Sequence, residues 1–288
     1  MSVPSRPAVI VISSLVARGG VGLRAAGFAL ERLGFPVWQV PTVFLPWHTG
    51  HSRSTRIVPP AEQFASALAD LAGSPHLGEV GAVISGYLGE ASQAAPIAAL
   101  VAALKARRPE ALYVCDPVVG DEGGLYVPDE TAAAIRDVLL PIADAATPNR
   151  FELAWASGHA VDTPAAALAA ARMLPPPTVM VTSAPALMRG STALLLATPQ
   201  ETLVAEHPVF PEAPSGTGDL AAALLTAQLV SGVPPETALR RVAATLFELV
   251  SRTSKAGADE LVLPIEQDSL VRPMAHVAMR RMATVRRV

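Results

Sequence analysis

Residues 214–230 read PSGTGDLAAALLTAQLV. The apolar run predicts a helix over 220–230, and the turn that leads into it is Gly216-Thr217-Gly218-Asp219. Two glycines allow a backbone turn that residues with side chains avoid. The first N–H groups of a helix lack intrahelical partners and favour negative charge. An aspartate beside such an anion site can take the proton of an incoming hydroxyl. These are the parts needed to move a phosphoryl group onto an alcohol. The same residues also fit a plain glycine turn, with Asp219 as a first-turn acid favoured by the helix dipole. The remaining chain has to decide between them.

Upstream of this stretch, strands and helices alternate. Residues 7–14 (PAVIVISS) form a β-branched run of the kind buried on both faces of a parallel sheet. The glycine turn Arg18-Gly19-Gly20-Val21-Gly22 follows, and then a helix over 23–33. Further strands are expected over 35–43, 81–85, 112–115, 143–146 and 178–182. Helices are expected over 61–71, 96–108, 129–139 and 163–174. Such alternation predicts an α/β fold, a central mostly parallel sheet with helices on both faces. Residues 193–197 and 202–207 break the alternation and predict a β-hairpin at one edge. Two helices, 220–230 and 235–253, follow it, and the basic tail 274–288 reads as a solvated terminal helix. The GxGxxG spacing of a dinucleotide fold is absent from the first glycine turn.

The 288 residues are read as one domain, with 51% hydrophobic residues to build its core. A net charge of -3 offers no basic surface for nucleic acid. Cys115 is the only cysteine, so neither an internal disulfide nor a cysteine metal site is available. It reads as a buried strand residue and not as a nucleophile. The first apolar run is short and leads into a glycine turn, which fits a strand better than a signal peptide. No run approaches the ~18 apolar residues of a membrane span. A cytoplasmic protein without a membrane partner is therefore expected.

Several polar residues fall at strand ends, where open α/β sheets meet their ligands. Ser14 ends the first predicted strand. Residues 44–60, with His48, Thr49 and His51, form a long polar loop of the kind that serves as a lid. Ser85-Gly86-Tyr87-Leu88-Gly89 closes the third strand, and Asp116-Pro117 follows the fourth. Asp116 could hold a metal ion or its water, or could cap the turn. In Thr147-Pro148-Asn149-Arg150-Phe151-Glu152, Asn149 and Glu152 start a helix three residues apart. They could serve a phosphate and a magnesium ion, or form a capping box with each other.

Together these pieces resemble the ribokinase-like superfamily and, within it, the pyridoxal (vitamin B6) kinases. The matching motifs are Ser14 with Gly19–Gly22, His48-Thr49, SGYLG at 85–89, DPVVG at 116–120, TPNRFE at 147–152 and GTGD at 216–219. The resemblance covers about residues 8–255. It implies a kinase that uses ATP and Mg²⁺ to phosphorylate the 5′-hydroxymethyl group of pyridoxal, pyridoxine or pyridoxamine. Asp219 would be the base, and the backbone N–H groups from Gly216 to Asp219, those of Thr217 and Gly218 included, would stabilise the transferring phosphoryl. Ser14 and Thr49 would contact the ring's polar atoms, and Tyr87 would pack near the ring. Asp116 and Glu152 would serve Mg²⁺, and Asn149, Thr182 and Ser183 the nucleotide phosphates. Residues 49–60 would be the lid, and a homodimer is implied.

An unperturbed aspartate, with a pKa of about 3.9, is ionised at pH 7 and ready to act. Departures from the family pattern include Leu15, where histidine is common, Arg18, where tyrosine is usual, Leu23, where asparagine is usual, and Pro46-Trp47 before His48-Thr49, where Ser-Asn is usual. They fall on the substrate side. Two alternatives therefore stand. One is another small-alcohol kinase of the superfamily, such as a hydroxymethylpyrimidine kinase, although those typically carry cysteine where Asp219 stands. The other is a non-catalytic B6-binding protein.

Overall fold

A computed structural model describes residues 6–210 and 213–282. Its centre is a nine-stranded sheet in the order β11-β10-β9-β8-β7-β4-β3-β1-β2. The parallel part comprises β1 (Ala8–Arg18), β2 (Val37–Trp47), β3 (Val80–Ser85), β4 (Leu112–Cys115), β7 (Ala145–Ala146) and β8 (Thr178–Pro185). Between β4 and β7 a small separate hairpin, β5 (Gly120–Asp121) with β6 (Gly124–Leu125), stands apart from the main sheet. The antiparallel edge adds β9 (Ser191–Ala197), β10 (Thr202–Pro208) and β11 (Ala278–Met282).

Helices cover both faces. Buried residues of α1 (Leu23–Arg32), α7 (Thr217–Val230) and α8 (Pro235–Lys255) form one core with the sheet. Those of α2 (Ala61–Gly73), α3 (Ala94–Arg107) and α4 (Asp129–Ala134) form another on the opposite side. A third core lies beneath α5 (Arg150–Ser157) and α6 (Pro164–Ala171). A short helix, α9 (Asp268–Val271), precedes β11. The α/β alternation and the edge hairpin expected from the sequence are both present.

Several boundaries differ, each for a local reason. β1 and β2 run on to Arg18 and Trp47, pairing across a register shift between Ser13 and Leu15. Ser14 thus lies inside β1 and not at its end. The long loop is correspondingly shorter: Phe44 and Ile57 exchange backbone hydrogen bonds at 2.8 and 3.0 Å, which closes its base. The helix expected over 129–139 is α-helical only to Ala134 and then widens to a π-type turn over Ile135–Leu139. The tail is a strand over 278–282, not a helix. It completes the sheet edge, with Arg281 paired to Glu201 at 3.0 Å. The rest of the basic tail, Arg286 and Arg287 included, lies outside the described residues.

The topology places a ligand crevice. From β1 the chain moves out to β2 and then crosses back to β3 on the other side of β1. Connections diverging from neighbouring strands leave an opening at the strands' C-terminal ends. Ser85, Cys115 and Ala146 end strands at that edge.

Candidate active site

The α7 N-terminus is shaped by glycine. Gly216 caps the helix at φ 90° with no side-chain capping bond, and the helix starts at Thr217, earlier than the apolar run indicated. A Cβ on Gly216 would stand 2.0 Å from the Gly20 carbonyl oxygen, so the two glycine turns pack backbone against backbone. A Cβ on Gly218 would meet nothing within 4 Å. The space in front of the first turn is therefore open. The Thr217 hydroxyl donates to the Pro214 carbonyl at 2.7 Å and fixes the turn from behind.

Asp219 faces the other glycine turn. Its Oδ2 accepts the Gly22 N–H at 2.8 Å, a contact across 197 residues of sequence. Gly22, at φ 56°, has no room for a side chain, because a Cβ there would lie 2.4 Å from the Ser14 hydroxyl oxygen. Gly86, at the end of β3, is also closely approached: a Cβ there would lie 2.8 Å from Ser13 Oγ and 3.9 Å from Asp219 Oδ1. Ser14, the glycine turn and the SGYLG loop thus converge on Asp219.

A row of acids continues from Asp219. Burial and then the neighbouring Asp219 carboxylate push Asp116 up to about 7, while the Thr147 hydroxyl, donating at 2.8 Å, pulls it back. Burial likewise pushes Asp219 up to about 6, moderated by the Gly22 N–H. The sequence-based expectation of an unperturbed aspartate is corrected here. Asp219 is a stronger base than an exposed carboxylate and is still mostly ionised at pH 7. Glu152 is raised well above its ordinary range by burial and then by Asp116. Its oxygens accept backbone N–H groups from Asn149 at 2.8 Å and Val119 at 3.2 Å.

Asn149 and Glu152 form a complete capping box on α5. The Asn149 amide nitrogen also donates to the Gly120 carbonyl at 2.8 Å. Thr182 lies alongside: its N–H donates to the Pro148 carbonyl at 2.9 Å. Ser183 then takes φ 49°, a left-handed conformation rare for a residue with a side chain, at the irregularity where β8 leaves its register with β9. Thr182 and Ser183 are thereby brought beside Asn149.

On the opposite side, Tyr87 packs against Val16, Val21, Val43 and Leu45. The Thr42 hydroxyl donates to the Tyr87 carbonyl at 2.7 Å, and Gln93 clamps the same loop through the Gly89 N–H and the Thr42 carbonyl. Thr49 is exposed on the 48–56 loop, and among the described residues no side-chain hydrogen bond ties it to the acid row. Burial lowers the pKa of the neighbouring His48. Cys115 is fully buried, and its thiol is pushed up to about 12, as an inert strand residue requires.

Some residues near the centre escaped sequence reasoning. Thr147 was read only as part of a motif, yet it bonds Asp116. Tyr126 follows the β5–β6 hairpin and is half-exposed; its phenol is pushed up by partial burial and then by Glu152, Asp116, Asp121 and Asp219. Glu260 accepts the Gly20 N–H from 240 residues away. A Gly-Gly pair between short extended segments was the available signal for the hairpin, whereas nothing local marked Glu260.

The acid row suits a hard divalent cation. Carboxylate oxygens are the donors that Mg²⁺ takes, with several waters retained. The Asp219 carboxylate raises the cost of ionising Asp116, which a cation beside them would relieve. Glu152 has its oxygens on backbone N–H groups, so it is suited to reach such an ion through water. No cluster of His, Cys, Asp and Glu among the described residues forms an all-protein metal cage.

Comparison with known proteins agrees with this geometry. The family described as phosphomethylpyrimidine kinase matches residues 63–263. A pyridoxal kinase of Rubrobacter xylanophilus is 38% identical over 282 residues, covering 96% of this chain and 97% of its own. A pyridoxine/pyridoxal/pyridoxamine kinase of Bordetella bronchiseptica is 39% identical over 262 residues, covering 88% and 92%. The structure of a Leishmania donovani pyridoxal kinase in complex with ADP and pyridoxamine superposes with a TM-score of 0.89 at 30% identity, covering 96% of this chain and 100% of that one.

Proposed function

The chain belongs to the pyridoxal kinases, within the phosphomethylpyrimidine kinase family, and on that premise we propose that it transfers the γ-phosphoryl group of ATP to the 5′-hydroxymethyl group of a B6 vitamer. The observation that carries this reading is Asp219. It is a partly buried carboxylate at an open helix N-terminus, held by the Gly22 N–H and set beside a row of acids.

Asp219 accepts the hydroxymethyl proton while the hydroxyl oxygen bonds to the γ-phosphorus. The bond from that phosphorus to the bridging oxygen breaks, and ADP leaves with the electron pair. A pKa of about 6 keeps the base ionised at neutral pH and makes it a better acceptor than an exposed aspartate. Charge on the transferring group is met by the N–H groups of Gly216, Thr217 and Gly218, aligned before the proton moves. Asp116, and Glu152 through water, would hold Mg²⁺, which supplies charge neutralisation at the phosphates. Thr182, Ser183 and the remaining N–H of the Asn149 amide serve the nucleotide. Ser14, Thr49 and Tyr87 serve the ring, with the 48–56 loop as lid. The proposal extends to one kinase domain, a cytoplasmic location and a homodimer, all resting on family likeness; light scattering tests the last.

A second reading, hydroxymethylpyrimidine as acceptor, has the matched family's own description behind it. One assay separates the readings: purified protein, Mg-ATP and a panel of the three vitamers plus hydroxymethylpyrimidine, following ADP release and the phosphorylated product. Turnover of at least one vitamer is expected. Turnover of the pyrimidine alone would replace the B6 assignment, and tight vitamer binding without turnover would leave a binding protein.

A further inference from the structure

Glu260 belongs to no motif, yet it sits behind the catalytic turn. It follows α8 and is 8% exposed. Its backbone is laid against the GTGD segment: the Ser215 N–H donates to the Asp259 carbonyl at 2.9 Å, and the Leu261 N–H donates to the Ser215 carbonyl at 3.4 Å. Its side chain then reaches in two directions. Oε2 accepts the Gly20 N–H at 2.5 Å. Oε1 lies 2.5 Å from Nε2 of His51, on the 48–56 loop. The other ring nitrogen of His51 lies 3.1 Å from an Asp259 oxygen. The glycine turn is built around this carboxylate, because a Cβ on Gly19 would stand 2.2 Å from Glu260 Oε2.

We propose that Glu260 is a positioning residue that couples the 48–56 loop to the catalytic base. Its carboxylate fixes Gly20 from one side and His51 from the other. Gly20 is two residues from Gly22, whose N–H holds Asp219. Movement of the loop at His51 is therefore communicated to the glycine turn that holds the base through the Glu260 side chain. Misplacing a reacting group by about 1 Å costs about 10²-fold in rate, so a carboxylate that touches no substrate can still govern turnover. This inference rests on the kinase reading above and adds a residue to it.

The test compares E260A, E260Q and H51A in steady-state kinetics with the vitamer that the wild type uses, alongside trypsin cleavage at Arg53 and Arg56 in the loop. Glutamine keeps an acceptor for Gly20 and a polar partner for His51. E260A should lose about 10²-fold in kcat, and E260Q should recover to within about tenfold of wild type. H51A, which unties the loop from Glu260 and leaves the Gly20 bond, should raise the vitamer KM by about tenfold and lower kcat by less than E260A does. Trypsin should cut both E260A and H51A faster than wild type. A wild-type kcat in E260A, or a loss that glutamine does not recover in a loop still protected from trypsin, would overturn the coupling. Should E260A fail to fold, H51A and H51A/E260Q decide: a double variant whose KM exceeds that of H51A by the full effect of E260Q alone would overturn it too. A wild type inactive on every acceptor would sink the kinase reading instead, and the trypsin comparison would still judge Glu260.

Discussion

The N-termini of α5 and α7 close on the same acid row, yet they are completed in opposite ways. At α5 the side chains of Asn149 and Glu152 bond each other's backbone at 2.9 and 2.8 Å, and the Asn149 amide reaches the Gly120 carbonyl. At α7 the cap is a glycine with no side-chain capping bond, and Gly218 faces open space. A helix N-terminus carries a partial positive charge in either case. Only the one left without side-chain caps offers that charge to a ligand. Asp116 links the two: the Asp219 carboxylate raises its pKa, and Asp116 in turn raises that of Glu152. On the proposed mechanism, α5 holds the acid row in place and α7 serves the chemistry. Substitutions at α7 should therefore cost activity, and substitutions at the α5 cap should cost stability.

The sharpest break in that comparison would come from Asp219. D219N keeps the shape and removes the proposed base, and kcat should fall by on the order of 10²–10⁴. Stability should move the other way. A carboxylate whose folded pKa is raised to about 6 holds its proton after the unfolded chain has released it. Its contribution to stability is therefore lost as pH rises from about 4 to 6. Asparagine escapes that loss, and D219N should be more stable at pH 7 by on the order of 1–3 kcal/mol in denaturant unfolding. A D219N variant that turns over normally would mean that another residue is the base. G218A comes next. A methyl group there clashes with nothing in the protein, so stability should hold within about 0.5 kcal/mol. The methyl group intrudes on the anion turn, and kcat should drop by about 10²-fold. Normal kinetics in G218A would mean that the open turn is not where the phosphoryl group passes.

A smaller effect follows from pH. With Asp219 as base, log kcat/KM should fall below about pH 6 with a slope of one, a tenfold loss per unit. Added Mg²⁺ should move this limb to lower pH, because a cation beside Asp116 and Asp219 favours their ionised forms. A limb that ignores magnesium would argue against a cation at the acid row.

The sheet and the acids were legible because both are local signals. A β-branched run marks a buried strand wherever it packs, and an aspartate after such a run lies at a strand end. Asp116, Asn149, Glu152 and Asp219 could thus be placed on the sequence. What holds them could not. The Gly22–Asp219 and Gly20–Glu260 bonds span 197 and 240 residues, and no periodicity encodes such pairs. The basic tail read as a helix because its neighbours on β10, which make residues 278–282 a strand, are invisible from within it. Spacing alone could not divide the two helix ends either, since Asn149 and Glu152 three residues apart fit a cap only slightly better than a ligand set.

The least disruptive substitution bears most directly on the contrast between those ends. N149A removes the acceptor for the Glu152 N–H and the donor to Gly120, while the Asn149 backbone that Glu152 accepts from is retained. Losing an asparagine cap costs about 1 kcal/mol. The tie between α5 and the β5 strand goes with it, so unfolding should show a loss of about 1–2 kcal/mol. The base and the α7 turn are untouched, and kcat at saturating substrates should stay within about tenfold of wild type. The ATP KM is the discriminating quantity. A cap whose second amide proton also serves phosphate raises KM when it is removed; a cap that only holds the acid row leaves KM where it was and lowers stability alone. If N149A instead costs kcat on the scale of D219N, α5 takes part in the chemistry as directly as α7, and the division between a closed and an open helix end fails.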